Sequence, residues 1–306
     1  MFDTIKAYYI GDLAEKTKLV NVDFVPNIDA NGVHKGYKAE YRNIKIFLSL
    51  SHRLTIEGSL SRFAFGDNFG TIDRKTTKTA ILELCEFLGI PPKDFKVTRL
   101  DVATIMPATE KIETLQNVLG GVSRCKRWES GKNGIYWGNT QKQMVIYNKT
   151  LWAKVTKTPI PKILEGGDWI RAEFRILKNI EKQTNYKNVS LDKLYNSGFY
   201  CKMCDVWENS FLSIDQTPGS LFFNPVDTAT DLFDVCFVML QSAVKATQRQ
   251  KIIDNALSLC SNKVERNRFR EKLKKVNEKY KETEEDPKGA IYNAFREMVK
   301  SNKAIY

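Results

Sequence analysis

Histidine is nearly absent from this chain: His34 and His52 are the only two in 306 residues. They stand far apart and in no His-hydrophobe-His pattern, so a metal site built on paired imidazoles is excluded. Cysteine is sparse too. Six thiols at 85, 125, 201, 204, 236 and 260 follow no framework spacing, which argues against a disulfide-stapled fold and for a reducing cytoplasm. Cys201-Lys202-Met203-Cys204 has knuckle spacing, but no second Cys or His pair lies close by in sequence, and a zinc site is discounted. No apolar run approaches the roughly 18 residues of a spanning helix. The longest patch, around Phe237-Val238-Met239-Leu240, is interrupted by Asp234 and Gln241. A charged-then-apolar leader, internal repeats and low-complexity tracts are also missing, so a soluble chain with no membrane partner is expected.

Acidic charge is in deficit as well. Against 36 Asp and Glu stand 48 Lys and Arg, a formal charge of +12, which favours a polyanionic partner, nucleic acid first. With 42% hydrophobic and 11% aromatic residues, the chain can build a sizeable core, and disorder or a coiled-coil rod is excluded.

Periodicity then predicts the elements. Ile44, Ile46, Leu48 and Leu50 alternate, and Leu54, Ile56 and Leu60 continue the pattern beyond a turn at Ser51-His52-Arg53. A helix is expected from Lys78 to Leu88, closed by Gly89 and Pro91-Pro92, and another over Ile112, Leu115 and Leu119. Val97 to Ile105 and Trp169 to Leu177 read as strands, and Gly134 to Lys149 as a hairpin turning at Gly138-Asn139-Thr140. Residues 153 to 167 form a polar connection. Beyond Asn179 come short helical pieces, then amphipathic patterns at about 228 to 259, 262 to 283 and 288 to 300. The fold class expected is α+β: an antiparallel-rich sheet with helices on one face and an exposed polar face, followed by a helical carboxy-terminal region. The boundary between the two domains, 1–180 and 181–306, is placed at residue 180.

Alternation also sorts the polar side chains by face. Arg171, Glu173 and Arg175 oppose Ile170, Ala172, Phe174 and Ile176; Arg99 pairs in direction with Asp101, Tyr147 with Lys149, and Glu57 opposes Ile56. On any one strand such a set is most simply a solvated surface with cross-strand ion pairs. Several strands agreeing suggest more. Carboxylates converging on one face would suit Mg²⁺ or Mn²⁺, with Asp101, Glu173 and Glu57 as ligands, and basic neighbours would suit a phosphodiester. A nearby tyrosine could attack phosphorus and store the bond as a phosphotyrosine ester. Residues 245 to 306 carry 16 basic and 9 acidic side chains. There Val264, Leu273, Val276 and Tyr280 form an apolar stripe, while Arg266, Arg270 and Lys274 are set toward DNA phosphates.

Five stretches occur in an order that resembles a known family: Met1-Phe2-Asp3-Thr4-Ile5-Lys6, Gly66-Asp67-Asn68-Phe69-Gly70-Thr71-Ile72-Asp73, Arg99-Leu100-Asp101, Ile146-Tyr147-Asn148-Lys149 and Arg171-Ala172-Glu173-Phe174-Arg175. Over residues 1 to about 180 the chain resembles the gene II endonucleases of filamentous phages, and its strand order resembles the rolling-circle Rep initiators of small plasmids. The resemblance implies a metal-dependent nicking and joining enzyme of the bacterial host cytoplasm. Such an enzyme cuts one strand of a double-stranded origin, stays attached to the 5′-phosphate through tyrosine, leaves a 3′-hydroxyl to the host polymerase and helicase, and later rejoins the displaced single strand. By the same resemblance Tyr147 is the nucleophile, and Lys149 also matches. A phenol with a pKa of about 10 needs the metal or a cation such as Lys149 or Arg171 to stabilise its phenolate. Arg99 and Arg171 suit phosphate clamps or intrasheet partners equally, and Arg99 and Arg175 are expected to contact DNA. No second tyrosine stands beside Tyr147, so joining would require a second protomer, as in a homodimer, a distant tyrosine, or water. A non-catalytic DNA-binding regulator of the same fold is the alternative. An RNA-binding module with stacking aromatics on its strands ranks last, since carboxylates occupy the strand centres.

Overall fold

The structure, a computed structural model, describes residues 1–11, 22–131, 133–214, 246–279 and 287–304. Ten strands make one antiparallel sheet: β1 (Phe2–Ile10), β2 (Val25–Ile28), β3 (His34–Tyr41), β4 (Ile44–Ser49), β5 (Arg53–Ser59), β6 (Lys96–Pro107), β7 (Lys126–Ser130), β8 (Gly134–Gly138), β9 (Lys142–Asn148) and β10 (Trp169–Ile176). The helices are α1 (Leu60–Phe65), α2 (Arg74–Leu88), α3 (Ile112–Val118), α4 (Lys149–Thr156), α5 (Ile180–Thr184), α6 (Ser197–Leu212), α7 (Ala246–Ser258), α8 (Lys263–Lys279) and α9 (Pro287–Ala304). Strand order across the sheet is β2-β3-β4-β5-β1-β6-β10-β9-β8-β7. Each half begins at the centre, crosses to an outer edge and meanders back, so β1-β5-β4-β3-β2 and β6-β10-β9-β8-β7 share one topology.

The α+β class and the antiparallel sheet are as expected. The 44–60 hairpin, the strand from 97 and the hairpin turning after Gly138 all form. The helix expected from Lys78 starts a turn earlier, because the Asp73 side chain accepts the Thr76 amide and caps it. On the apolar face Ile5, Leu100, Val102 and Phe174 pack against Leu84 and Leu88 of α2 and against Phe199, Tyr200, Met203 and Trp207 of α6. Phe295 of α9 stacks on Phe211 at 4.1 Å and meets Trp207 edge-on. A fully buried aromatic such as Trp207 contributes about 3 kcal/mol or more when its loss leaves a cavity.

Ile180, Leu191 and Phe199 belong to the same buried cluster as Ile5. Three expectations are corrected. Lys149 is not a strand residue: Asn148 accepts the Leu151 amide and caps α4, so the chain turns helical at Lys149. Nor are the helices confined to one face. Ile105 lies directly across from Arg171 on the polar face, and Ala153 of α4 packs there with Ile105, Phe69, Trp152 and Trp169, which covers part of the face expected to be open. Lastly, Val264 is 59% exposed although Leu273 is buried, so the stripe on α8 does not begin at Val264. Residues 228 to 245, residues 280 to 283 with Tyr280 among them, and the Val276 side chain lie outside the described residues.

Candidate active site

The register of the sheet fixes which side chains meet. Arg171 pairs across from Tyr147, Glu173 from Val145 and Arg175 from Gln143 on one side, and Arg175 from Asp101 on the other. Side chains opposite one another share a face, so Tyr147, Arg171, Glu173, Arg175 and Asp101 stand together on the polar side. The Tyr147 hydroxyl donates to Glu173 Oε1 at 3.1 Å, and Arg171 Nε donates to the same oxygen at 2.8 Å. Arg175 Nε donates to Oε2 at 2.7 Å. Glu173 therefore lies between two guanidinium groups with the phenol resting on it.

Arg171 is buried and fully engaged. Its Nη2 meets Asp3 Oδ2 at 2.7 Å and its Nη1 donates to the Asn68 carbonyl at 2.6 Å. Asp3 reaches the polar face because β1 is irregular against β6: Phe2 pairs with Val102 and Ile5 with Leu100, so three steps of β1 span two of β6. Ser59 donates to the other Asp3 oxygen. The loop of residues 66–72 closes the cluster from above. Asn68 Oδ1 accepts Lys149 Nζ at 2.7 Å, and that ammonium sits 3.7 Å from the Trp152 ring centroid and 4.8 Å from Phe69.

Electrostatics follow from this packing. Burial, reinforced by the Glu173 charge, raises the Tyr147 pKa well above the ordinary phenol range. Burial alone would push Glu173 up, but Arg171 and Arg175 outweigh it and hold the carboxyl below its usual value. Asp101 behaves in the opposite way. Burial lifts it to about 6 despite a bidentate Arg99, whose Nε and Nη2 lie 3.0 and 2.7 Å from its oxygens. Burial, helped by Arg171, lowers Lys149 to about 7.

Asp101 and Glu173 stand on one face, but with Glu57 they do not form a three-carboxylate ligand set among the described residues. Glu57 accepts Lys6 at 2.8 Å and Arg99 at 3.5 Å, while Asp101 and Glu173 are occupied by guanidinium groups. Among the described residues no group of three His, Cys, Asp or Glu side chains could hold a metal ion. The donor set present does not fit Mg²⁺ or Mn²⁺ without displacing arginines. Arg99 and Arg175 are each partly open to solvent. Beside Arg99 a groove of about 1020 Å³ is lined by Lys6, Lys96, Lys178 and Lys182. Arg266, Arg270 and Lys274 are exposed on α8, separate from this cluster.

Sequence reasoning missed Asp3, Asn68 and Ser59. Strict alternation places Asp3 on the same side as Ile5, and only the irregularity in β1 turns it over. Asn68 carried a signal, the turn-rich Gly66-Asp67-Asn68-Phe69-Gly70, and its groups hold Arg171 and Lys149.

A phenol hydrogen-bonded to a carboxylate that two arginines flank, on a face edged by further cations, defines a site suited to phosphodiester chemistry. The family model for the amino-terminal region of the phage replication-associated protein, the gene II product, matches residues 1–202, about two thirds of this chain. The chain belongs to that family, the replication initiators of the filamentous-phage gene II type. No curated protein matches it. No helix among the described residues is long and apolar enough to cross a membrane.

Proposed function

We propose that this chain nicks one strand of a double-stranded replication origin through a covalent bond to Tyr147, and later rejoins the displaced strand. The observation that carries the reading is the 3.1 Å hydrogen bond from the Tyr147 phenol to Glu173. A phenol whose pKa is raised does not ionise in advance, so its proton must leave as the bond to phosphorus forms. Glu173 Oε1 is placed to receive it. The Tyr147 Oη–P bond forms, the P–O3′ bond breaks, and the 3′-oxygen takes a proton from water. The products are a 3′-hydroxyl and a 5′-phosphotyrosine ester. Arg175, which is partly exposed, offsets charge on the pentavalent phosphorus, while Arg171, engaged with Asp3 and Asn68, orients Glu173.

Arg99, and Arg266, Arg270 and Lys274 on α8, are proposed to contact phosphates away from the cut, with host polymerase and helicase acting on the exposed 3′ end. Joining by a second protomer remains part of the proposal. Asp101 and Glu173 are held by arginines, and Mg²⁺ or Mn²⁺ dependence of the reaction is read by titration.

The test incubates the chain with supercoiled plasmid bearing its origin and Mg²⁺ or Mn²⁺. Nicked circle and a covalent adduct on a denaturing gel are expected, and Tyr147→Phe should bind but give neither. Retention of both products by Tyr147→Phe overturns the assignment. One observation favours a second reading, a DNA-binding regulator that does not cut: all four oxygens of Asp101 and Glu173 accept hydrogen bonds within the site. That reading predicts no adduct at any cation concentration.

A further inference from the structure

The outer strands of the second half carry an aromatic pair that the reaction does not use. Trp128 of β7 lies opposite Tyr136 of β8, Tyr136 opposite Val145 of β9, and Val145 opposite Glu173. The pair therefore stands on the polar face in the row of Glu173. At the usual strand spacing Tyr136 is about 10 Å and Trp128 about 14 Å from that strand. Their rings are parallel, with centroids 5.3 Å apart and planes 12° apart.

Both rings are only partly buried, and neither is among the residues of the central core cluster or of the small cluster around Ala153. On the same strand, glycines let neighbouring side chains close in on either side of Tyr136. Gly134 and Gly138 are the other two residues of β8 on this face, so Tyr136 is the one side chain that β8 presents there. A Cβ at 138 would come within 2.5 Å of Gln143 Cγ and 3.3 Å of Trp128 Cη2. The adjacent row runs Lys126, Gly138, Gln143, Arg175, with a cation at each end.

We propose that Trp128 and Tyr136 form a stacking platform for an unpaired base of single-stranded DNA, the nucleotide flanking the phosphate that Tyr147 attacks. The proposal rests on reading the Tyr147–Glu173 cluster as the nicking site. Rings bind base faces and the flanking row of cations binds the backbone. A duplex hides its base faces within its own stack, so the occupant is a melted or displaced strand.

The test measures binding, with no cation and no chemistry, of a labelled short deoxyoligonucleotide as single strand and as duplex. Trp128→Leu and Tyr136→Leu should each weaken single-strand binding on the order of tenfold and leave duplex binding and the melting midpoint unchanged. Trp128→Phe should keep most of the affinity but lose part of the tryptophan quenching that DNA causes. Unchanged single-strand affinity in both leucine variants overturns the platform, as does an equal loss for duplex. Tighter binding of the matching ribo-oligonucleotide overturns the assignment to DNA. If the leucine variants fail to fold, Trp128→Phe decides through quenching. A failure of Tyr147 as nucleophile would show in the adduct assay and leave these affinities as they are.

Discussion

The two halves of the sheet have the same strand order and different chemistry. β5 and β10 occupy corresponding places, each beside a central strand, and each presents a glutamate on the polar face. Glu57 of β5 faces Lys6 and Arg99 with 36% of its side chain exposed. Glu173 of β10 faces Arg171 and Arg175 with 6% exposed. What separates them is the connection that precedes each strand. Between β4 and β5 lies a tight turn, whereas between β9 and β10 the chain makes α4 and a loop whose Trp152, Ala153, Ile160 and Leu164 pack over the face. One scaffold thus carries an exposed ion pair in one half and a buried charge cluster in the other. The inserted helix, more than the carboxylate itself, goes with that difference in burial.

The sharpest way to break the comparison is to neutralise each glutamate in turn. Glu173→Gln leaves two guanidinium groups, one of them fully buried, against a neutral amide, and should cost about 3 to 5 kcal/mol in urea unfolding as well as abolishing adduct formation. The pH dependence has a definite sign. Because the folded carboxyl titrates below its unfolded value of 4.5, its stabilisation is complete above that value and is lost as pH falls through the folded pKa. Acid unfolding of Glu173→Gln should therefore be shallower than that of the native chain.

A smaller effect is expected at Gly134, across from Tyr147. A Cβ there would lie 2.8 Å from Tyr147 Cβ and 2.9 Å from the Ile146 carbonyl oxygen. Gly134→Ala should cost about 1 to 3 kcal/mol and lower the nicking rate by displacing the phenol from Glu173. Unchanged nicking would show that the site tolerates the shift.

Most of the strand framework was legible because the buried face of each strand alternates cleanly, and the triplet Arg171, Glu173, Arg175 stood out for that reason. The duplicated topology was not legible. It resides in strand order, and corresponding strands such as Arg53–Ser59 and Trp169–Ile176 share little beyond alternation. Alternation does not reveal Asp3 because a strand irregularity reverses its face, and Lys149 continues the strand pattern although Asn148 before it is a good helix cap. The cover over part of the polar face was also hidden, since Phe69 and Trp152, which flank the Lys149 ammonium, are far apart in sequence and close only in the fold.

Lys149 allows the cover over the second half to be probed alone. Its folded pKa of about 7 lies below the ordinary 10.5, so between those values the unfolded chain holds a proton that the folded chain lacks. Stability from this group then rises with pH across the window, by at most about 1.4 kcal/mol per pH unit. Lys149→Met should flatten that rise when unfolding is followed from pH 7 to 10. A slope unchanged from the native chain would mean that the ammonium is hydrated and the cover over the cluster is open.

The least effect should come from the first half. Glu57→Gln removes a partner from Lys6 and Arg99, but Lys6 is 42% exposed and Arg99 keeps both bonds to Asp101. Water and salt screen such a pair, so the cost should stay below about 1 kcal/mol and shrink as ionic strength rises. Glu173→Gln should show less salt dependence, because Arg171 is out of reach of mobile ions and Arg175 is only partly exposed. If instead Glu57→Gln matched Glu173→Gln in cost, burial by α4 would not be what distinguishes the halves, and the origin of the difference would have to be sought in the arginines of β10.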